Sequence, residues 1–160
     1  MESSSTIKHG LTVPLSVEAA FSLFVHKLMA WWPREYTWSN DVLELIAIEP
    51  VLGGRCFERG PHRFEVDWGR VLVWEHPARL VFTWQISPRR EPEPNPAKAS
   101  EVEVRFTART ADTTEVAFEH RLIERHGAGS AEYHAALSTP QGWPYILGRY
   151  QVMAEEAGAE

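Results

Sequence analysis

Residues 7–13 alternate in side-chain character, with Ile7, His9, Leu11 and Val13 on one side, and this spacing predicts a first strand. Pro14 and Leu15 end it, and Ser16 is placed to cap a helix whose first turn carries Glu18. Val17, Ala20, Phe21, Phe24, Val25 and Leu28 then fall at the i, i+3, i+4 spacing of an amphipathic helix. Trp31-Trp32-Pro33 predicts the close of a second short helix, because the residue before a proline is pushed out of the helical region.

A long β region follows. Short apolar or alternating runs predict strands at 43–48, 55–59, 64–74 and 80–86, with a turn at Pro50 and Gly53-Gly54. His76-Pro77-Ala78 is short enough to join the last two as an antiparallel pair. Residues 101–108 place Val102, Val104 and Phe106 on one face and Glu101, Glu103 and Arg105 on the other. After a turn at 110–113, Val116, Phe118, His120 and Leu122 share a face opposite Glu115, Glu119 and Arg121. Apolar inner faces beside charged outer ones mark an antiparallel sheet covered on one side. Residues 87–99 contain Pro88, Pro92, Pro94 and Pro96 and are expected to be a mobile, extended excursion. Gly127-Ala128-Gly129-Ser130 reads as a loop before a short helix. In the last segment Thr139 is the expected cap and Pro140 the first helical residue. Trp143, Ile146, Leu147, Tyr150, Met153 and Ala154 form its stripe, and Gly158 ends it.

The predicted class is α+β: a curved antiparallel sheet of about seven strands wrapped around a long C-terminal helix, with two short helices after the first strand. A curled sheet crossed by one helix leaves a gap lined by both. The 160 residues are expected to form a single domain with its core at about 7–156.

Several segments together carry a family resemblance. They are the helix after Val13-Pro14, Trp31-Trp32-Pro33, the run Glu49-Pro50-Val51-Leu52-Gly53-Gly54-Arg55, and Asp67-Trp68-Gly69-Arg70-Val71. To these are added Pro77-Ala78-Arg79-Leu80-Val81-Phe82-Thr83-Trp84 and Gly142-Trp143. From about Ile7 to Met153 the chain resembles the START-like SRPBCC superfamily, within it the bacterial branch named after the activator of the heat-shock-protein ATPase. The resemblance implies the helix-grip fold with a pocket between sheet and C-terminal helix. It implies no reaction, because that superfamily spans lipid and hormone binders, polyketide cyclases, oxygenase subunits and chaperone activators.

Composition narrows the partners. Net charge −6 and the small basic pair Arg89-Arg90 argue against nucleic acid and anionic membranes. No apolar run approaches a membrane span, and residues 1–6 lack the basic and apolar regions of a secretory leader. A single cysteine, Cys56, excludes an internal disulfide and suits a reducing compartment, so a cytoplasmic location is expected. The seven histidines show neither HxxxH nor HExxH spacing, no GxSxG elbow occurs, and no dinucleotide fingerprint is complete. Neither metal nor cofactor is therefore expected.

Seven tryptophans are the compositional anomaly, and aromatic walls suit a flat apolar ligand. The expected lining is Trp68, Phe82, Trp84, Val104, Phe106, Phe118, Trp143, Leu147 and Tyr150. Trp68 and Trp74 face inward only if a bulge near Gly69 alters the register. Two polar residues join that wall. His120 is either a ligand contact or base, or a core histidine bonded to backbone or to Glu58. Glu58, on the face of Cys56, is either an anchor or base, or the partner of Arg70 or Arg79. The leading function is binding of a small hydrophobic or aromatic molecule, lipid-like or polyketide-like. An enzyme of cyclase, dehydratase or hydrolase type using Glu58 and His120 is the alternative, and a co-chaperone-like module the third. A homodimer through a strand edge or Trp31-Trp32 is a further expectation.

Overall fold

The computed structural model describes residues 6–159, so most of the segment read for a leader lies outside the described residues. The elements run β1 (Ile7–Val13), α1 (Val17–Val25), α2 (Leu28–Trp31), β2 (Leu45–Ile48), β3 (Arg55–Arg59), β4 (Glu65–Glu75) and β5 (Arg79–Trp84). They continue as β6 (Ser100–Thr110), β7 (Thr113–Arg121), α3 (Ser130–Ser138) and α4 (Trp143–Gly158). One seven-stranded antiparallel sheet holds them in the order β1-β7-β6-β5-β4-β3-β2. This is the helix-grip arrangement expected from the sequence.

Local chemistry explains most boundaries. The Ser16 hydroxyl accepts from the Ala19 N–H at 3.1 Å and starts α1. His26 caps α1, so Leu28 belongs to α2 rather than continuing one stripe. Trp32, held extended before Pro33, ends α2 as its neighbour dictates. β2 starts at Leu45 because Asn40–Val42 forms a 3-10 turn just ahead of it.

β4 carries two bulges, and they settle the facing of its tryptophans. Pairing jumps from Cys56↔Gly69 to Phe57↔Asp67, which leaves Trp68 as the extra residue and turns it inward. A second shift between Val71 and Val73 brings Trp74 against Phe21, 5.2 Å between ring centroids. Only glycine fits at 69: a Cβ there would lie 2.2 Å from the Thr83 carbonyl oxygen.

Two expectations are corrected. Residues 87–99 are tied down rather than a free excursion. β5 stops at Trp84, Ile86 bridges Pro92, the Glu93 N–H donates to the Gln85 carbonyl while the Gln85 side-chain amide donates to the Glu93 carbonyl, and Pro96–Lys98 forms a 3-10 turn capped by Asn95. The last helix begins at Trp143 with Gly142 as its cap and Pro144 in its first turn. Thr139 instead closes α3, its hydroxyl donating to the Ala136 carbonyl at 2.8 Å. Pro140 lies between the helices.

The core fills the concave side of the sheet under α1 and α4. Phe21, Phe24, Phe106 and Tyr150 pack edge-on at 5.1–5.8 Å, and the Tyr150 hydroxyl donates to the Ala20 carbonyl. On the outer face Glu103 is 5% exposed and ringed by Arg79, Arg105 and Arg121. Burial pushes its carboxyl up, but hydrogen bonds from Arg121 and Arg79 and the charge of Arg105 outweigh that and hold it at about 2.

Candidate functional site

A cavity of about 470 Å³ opens between the β2–β5 half of the sheet, the segment after α2, and α3. That volume is in the range of small-molecule sites. Its sheet wall is Ile46, Glu58, Trp68 and Trp84, contributed by four adjacent strands. Trp32, Thr37 and Trp38 form one side, and Tyr133, Ala136 and Leu137 of α3 form the roof with Ile146 of α4. Glu35, Tyr36, Arg90 and Gln141 also line it.

Of the residues expected to line a pocket, Glu58, Trp68 and Trp84 do so. The others are packed into the core. Phe82 meets the Trp68 ring edge-on at 5.8 Å, and Phe118 lies 4.5 Å from Trp143. Phe106 and Tyr150 belong to the aromatic cluster under α1, and Val104 and Leu147 are buried in the same core. The space therefore lies toward α3 rather than along the length of α4.

Glu58 is 1% exposed and takes neither of the ion pairs considered for it. Arg70 pairs with Asp67, and Arg79 with Glu75 and Glu103. The Glu58 oxygens instead accept the Trp38 N–H at 3.1 Å and the Ser39 N–H at 2.7 Å, fixing the segment after α2 to the sheet. Each oxygen keeps acceptor capacity beyond that one bond.

His120 is fully buried and bonds neither to backbone nor to Glu58. The Trp143 indole, which only donates, gives its N–H to Nδ1 at 2.9 Å. The proton of the neutral ring is therefore on Nε2, 2.7 Å from Ser100 Oγ. Ser100 in turn sits 2.8 Å from His126 Nε2, so His126 carries its proton on Nδ1, a buried atom with no acceptor among the described residues. Burial pushes the His120 ring down to about 3, and the charges of His126 and His134 act in the same direction. This chain stands behind the cavity, with Trp84 between: its ring is 5.5 Å from His120 and lines the space.

Tyr133 ties the roof to the wall. Its hydroxyl accepts from Trp84 Nε1 and donates to the Ile86 carbonyl, both at 2.8 Å. Burial pushes the phenol up to about 12, against the Trp84 hydrogen bond and the nearby Arg90 charge. The Arg90 guanidinium lies 4.7 Å over the Tyr133 ring, and the Arg90 carbonyl accepts from Trp38 Nε1 at 2.9 Å. Cys56 is buried in apolar surroundings that push its thiol up, which suppresses thiolate chemistry.

The sequence reading missed Trp32, Trp38, Tyr133, Leu137 and Arg90 as lining. Tyr133 and Leu137 carried a faint signal, an apolar pair at i, i+4 in a short helix. Arg90 carried none, because its place depends on how the proline segment folds back.

Fold and cavity together define a helix-grip protein with an open cavity lined in large part by aromatic rings. The chain belongs to the family described as activator of Hsp90 ATPase homolog 1-like protein, whose family model matches residues 14–154. Among solved structures it is similar to the anthrahydroquino-gamma-pyrone synthase Txn09 complexed with SUM: 33% identity over 92% of this chain and 95% of that one, TM-score 0.66. It is also similar to the self-sacrificing resistance protein CalC from Micromonospora echinospora, with 25% identity over 97% of each chain and a TM-score of 0.68. Protein NE0264 from Nitrosomonas europaea, 11% identical over 98% of each chain with a TM-score of 0.67, shares the fold. No curated protein sequence matches the chain. Among the described residues no helix is long and apolar enough to cross a membrane.

Proposed function

We propose that this protein binds a flat, aromatic, polyketide-like small molecule in the chamber between the β2–β5 wall and α3. The observation that carries this reading is the lining: Trp32, Trp38, Trp68, Trp84 and Tyr133 present rings around a space of about 470 Å³ that holds one deeply buried carboxylate, Glu58. Rings reward planar apolar ligands, and a few fixed polar groups set orientation. The similarity to Txn09, a synthase named for a fused-ring product, supports the same ligand class.

That similarity also favours a second reading, catalysis in the same chamber. Glu58 is then the group to take a proton from a bound phenol, since it faces the space and is within reach of a ligand there. His120 is a poor partner for it, being spent on Ser100 and Trp143 behind the Trp84 ring. The family's name supports a third reading, activation of a chaperone ATPase, but the chamber gives no reason to prefer it.

Native mass spectrometry on gently purified protein, repeated under denaturing conditions, tests the binding reading together with a titration of anthraquinones followed by tryptophan emission. A carried mass lost on denaturation, or saturable quenching that disappears in a Leu137→Trp variant filling the chamber, is the expected result. A bare polypeptide mass with no saturable quenching overturns it.

A further inference from the structure

Four tryptophan indoles have acceptors within the protein: Trp31 donates to the Leu23 carbonyl, Trp38 to Arg90, Trp84 to Tyr133 and Trp143 to His120. Trp68 does not. It is 2% exposed, it lines the chamber, and its Nε1–H is buried with no acceptor among the described residues. A buried donor left unmade is costly, and native structures keep few of them.

The chain goes to some length to put that ring there. The alternation of β4 alone would face Trp68 away from Val71, and only the bulge opposite Cys56 and Phe57 turns it inward. The bulge in turn demands glycine at 69, against the Thr83 carbonyl. The backbone carbonyl of Trp68 accepts from the Gln85 N–H at 2.9 Å. The indole N–H is the group left over.

Its neighbour on the wall complements it. Glu58 lies on the adjacent strand, paired with Val66 two residues before Trp68, and faces the same chamber. Diagonal neighbours on one face of a sheet stand roughly 7–8 Å apart. The Glu58 oxygens accept one backbone N–H each and retain capacity for a ligand donor.

We propose that Trp68 and Glu58 form a paired donor–acceptor edge that selects aromatic ligands carrying a ring carbonyl and a phenolic hydroxyl on one side, spaced too widely to bond to each other. The carbonyl takes the indole N–H once the ligand displaces the Trp68 ring enough to open that buried atom to the chamber, and the hydroxyl donates to the carboxylate. This rests on the reading of the chamber as an aromatic-ligand site, and it adds a rule for which aromatics are held.

Four probes separate the two claims: anthraquinone (carbonyl only), 2-hydroxyanthracene (hydroxyl only), 2-hydroxyanthraquinone (both) and 2-methoxyanthraquinone (hydroxyl blocked). Dissociation constants come from quenching of tryptophan emission. The expected result is that 2-hydroxyanthraquinone binds at least about tenfold more tightly than each of the others, the scale of one well-made hydrogen bond in a dry site. Trp68→Phe trims the wall for every probe and, beyond that common loss, is expected to remove the advantage of 2-hydroxyanthraquinone over 2-hydroxyanthracene. Glu58→Gln is expected to remove the advantage over the methoxy compound. Equal affinities for all four in the unsubstituted protein overturn the paired edge and leave the aromatic-ligand reading standing. Binding of none of the four overturns both. Because the comparison among probes is made first on the unsubstituted chain, it decides the matter even if a variant fails to fold.

Discussion

Against β1, β6 and β7 the space under the helices is filled by rings that touch one another: Phe21 lies 5.1 Å from Phe106, Phe24 5.2 Å from Tyr150, and Phe118 4.5 Å from Trp143. Against β2 to β5 the rings line a wall instead, and the volume they face is covered by α3 and the proline segment, with α4 reaching it only through Ile146 in its first turn. Both halves are aromatic and buried, so residue type does not separate them. The covering element does. α4 lays a stripe of Ile146, Leu147, Tyr150 and Ala154 into the sheet, whereas α3 buries only Tyr133 and Leu137. A weakly apolar, short helix leaves space beneath it that a long amphipathic one fills.

If the packed half is the structural one, removing a ring there is expected to cost the most stability and to leave ligand affinity alone. Phe106→Ala deletes a ring shared by Phe21 and Phe24 and is expected to lower the unfolding free energy by about 3–5 kcal/mol in urea titrations. Quenching titrations on the folded fraction are expected to return an unchanged dissociation constant. A shift in affinity comparable to that of a chamber variant would erase the distinction between the halves.

Next in size is the response to acid, set in the layer where the halves meet. His120 is held neutral in the fold well below its ordinary 6.5, so the unfolded chain binds its proton first as pH falls. Its contribution is whole above pH 6.5 and declines below it, by about 2 kcal/mol between pH 6.5 and pH 5 for a fully buried ring. His126, also pushed down by burial, adds in the same direction. Glu103, held at about 2, begins to add only below its ordinary 4.5, so the upper part of the acid limb belongs to the histidines. Urea midpoints from pH 7 to pH 5 are expected to fall in the unsubstituted protein and to fall less in a His120→Gln variant.

How much of this was legible depended on whether local pattern or long-range contact set the feature. Period-two alternation located β1, β6 and β7, and the i, i+4 stripes located α1 and α4, because burial on one face writes itself into spacing. Asp67-Trp68-Gly69 signalled its bulge because glycine was needed against Thr83. The chamber was placed too far along α4, since Val104, Phe106 and Tyr150 face inward but are met there by Phe21 and Phe24, a contact no spacing reveals. Glu58 was recognised as buried, yet its partners proved to be two backbone N–H groups about twenty residues away rather than Arg70, Arg79 or His120. Tyr133 and Arg90 went unread because a fold-back of the proline segment brings them together.

At the junction of wall and roof, Tyr133→Phe removes the hydroxyl that Trp84 and Ile86 share and leaves a buried indole N–H unpaired. A loss of about 1.5 kcal/mol is expected, within the range for a buried donor left unmade. Because Tyr133 and Trp84 both line the chamber and Phe106 does not, ligand affinity is expected to change more than it does in Phe106→Ala, and that contrast sharpens the difference between the halves.

The smallest effect is expected at Arg90, where two terms oppose. The residue holds φ at +64°, a left-handed conformation that costs a side chain of this kind stability, and it holds a cation over the Tyr133 ring. Arg90→Ala keeps the backbone penalty and loses both the ring contact and the guanidinium's 2.9 Å hydrogen bond to the Pro88 carbonyl, for an expected loss of about 0.5–1 kcal/mol. Arg90→Gly loses the same contacts but removes the penalty, so it is expected to lie within about 0.5 kcal/mol of the unsubstituted protein. The Trp38 indole bonds to the backbone carbonyl of residue 90 and survives both changes, which keeps the segment in place for the comparison. Thermal melts of the pair therefore separate backbone strain from the contacts of the guanidinium. If glycine proves no better than alanine, the left-handed turn is not costing the fold, and the guanidinium alone fixes the edge of the chamber.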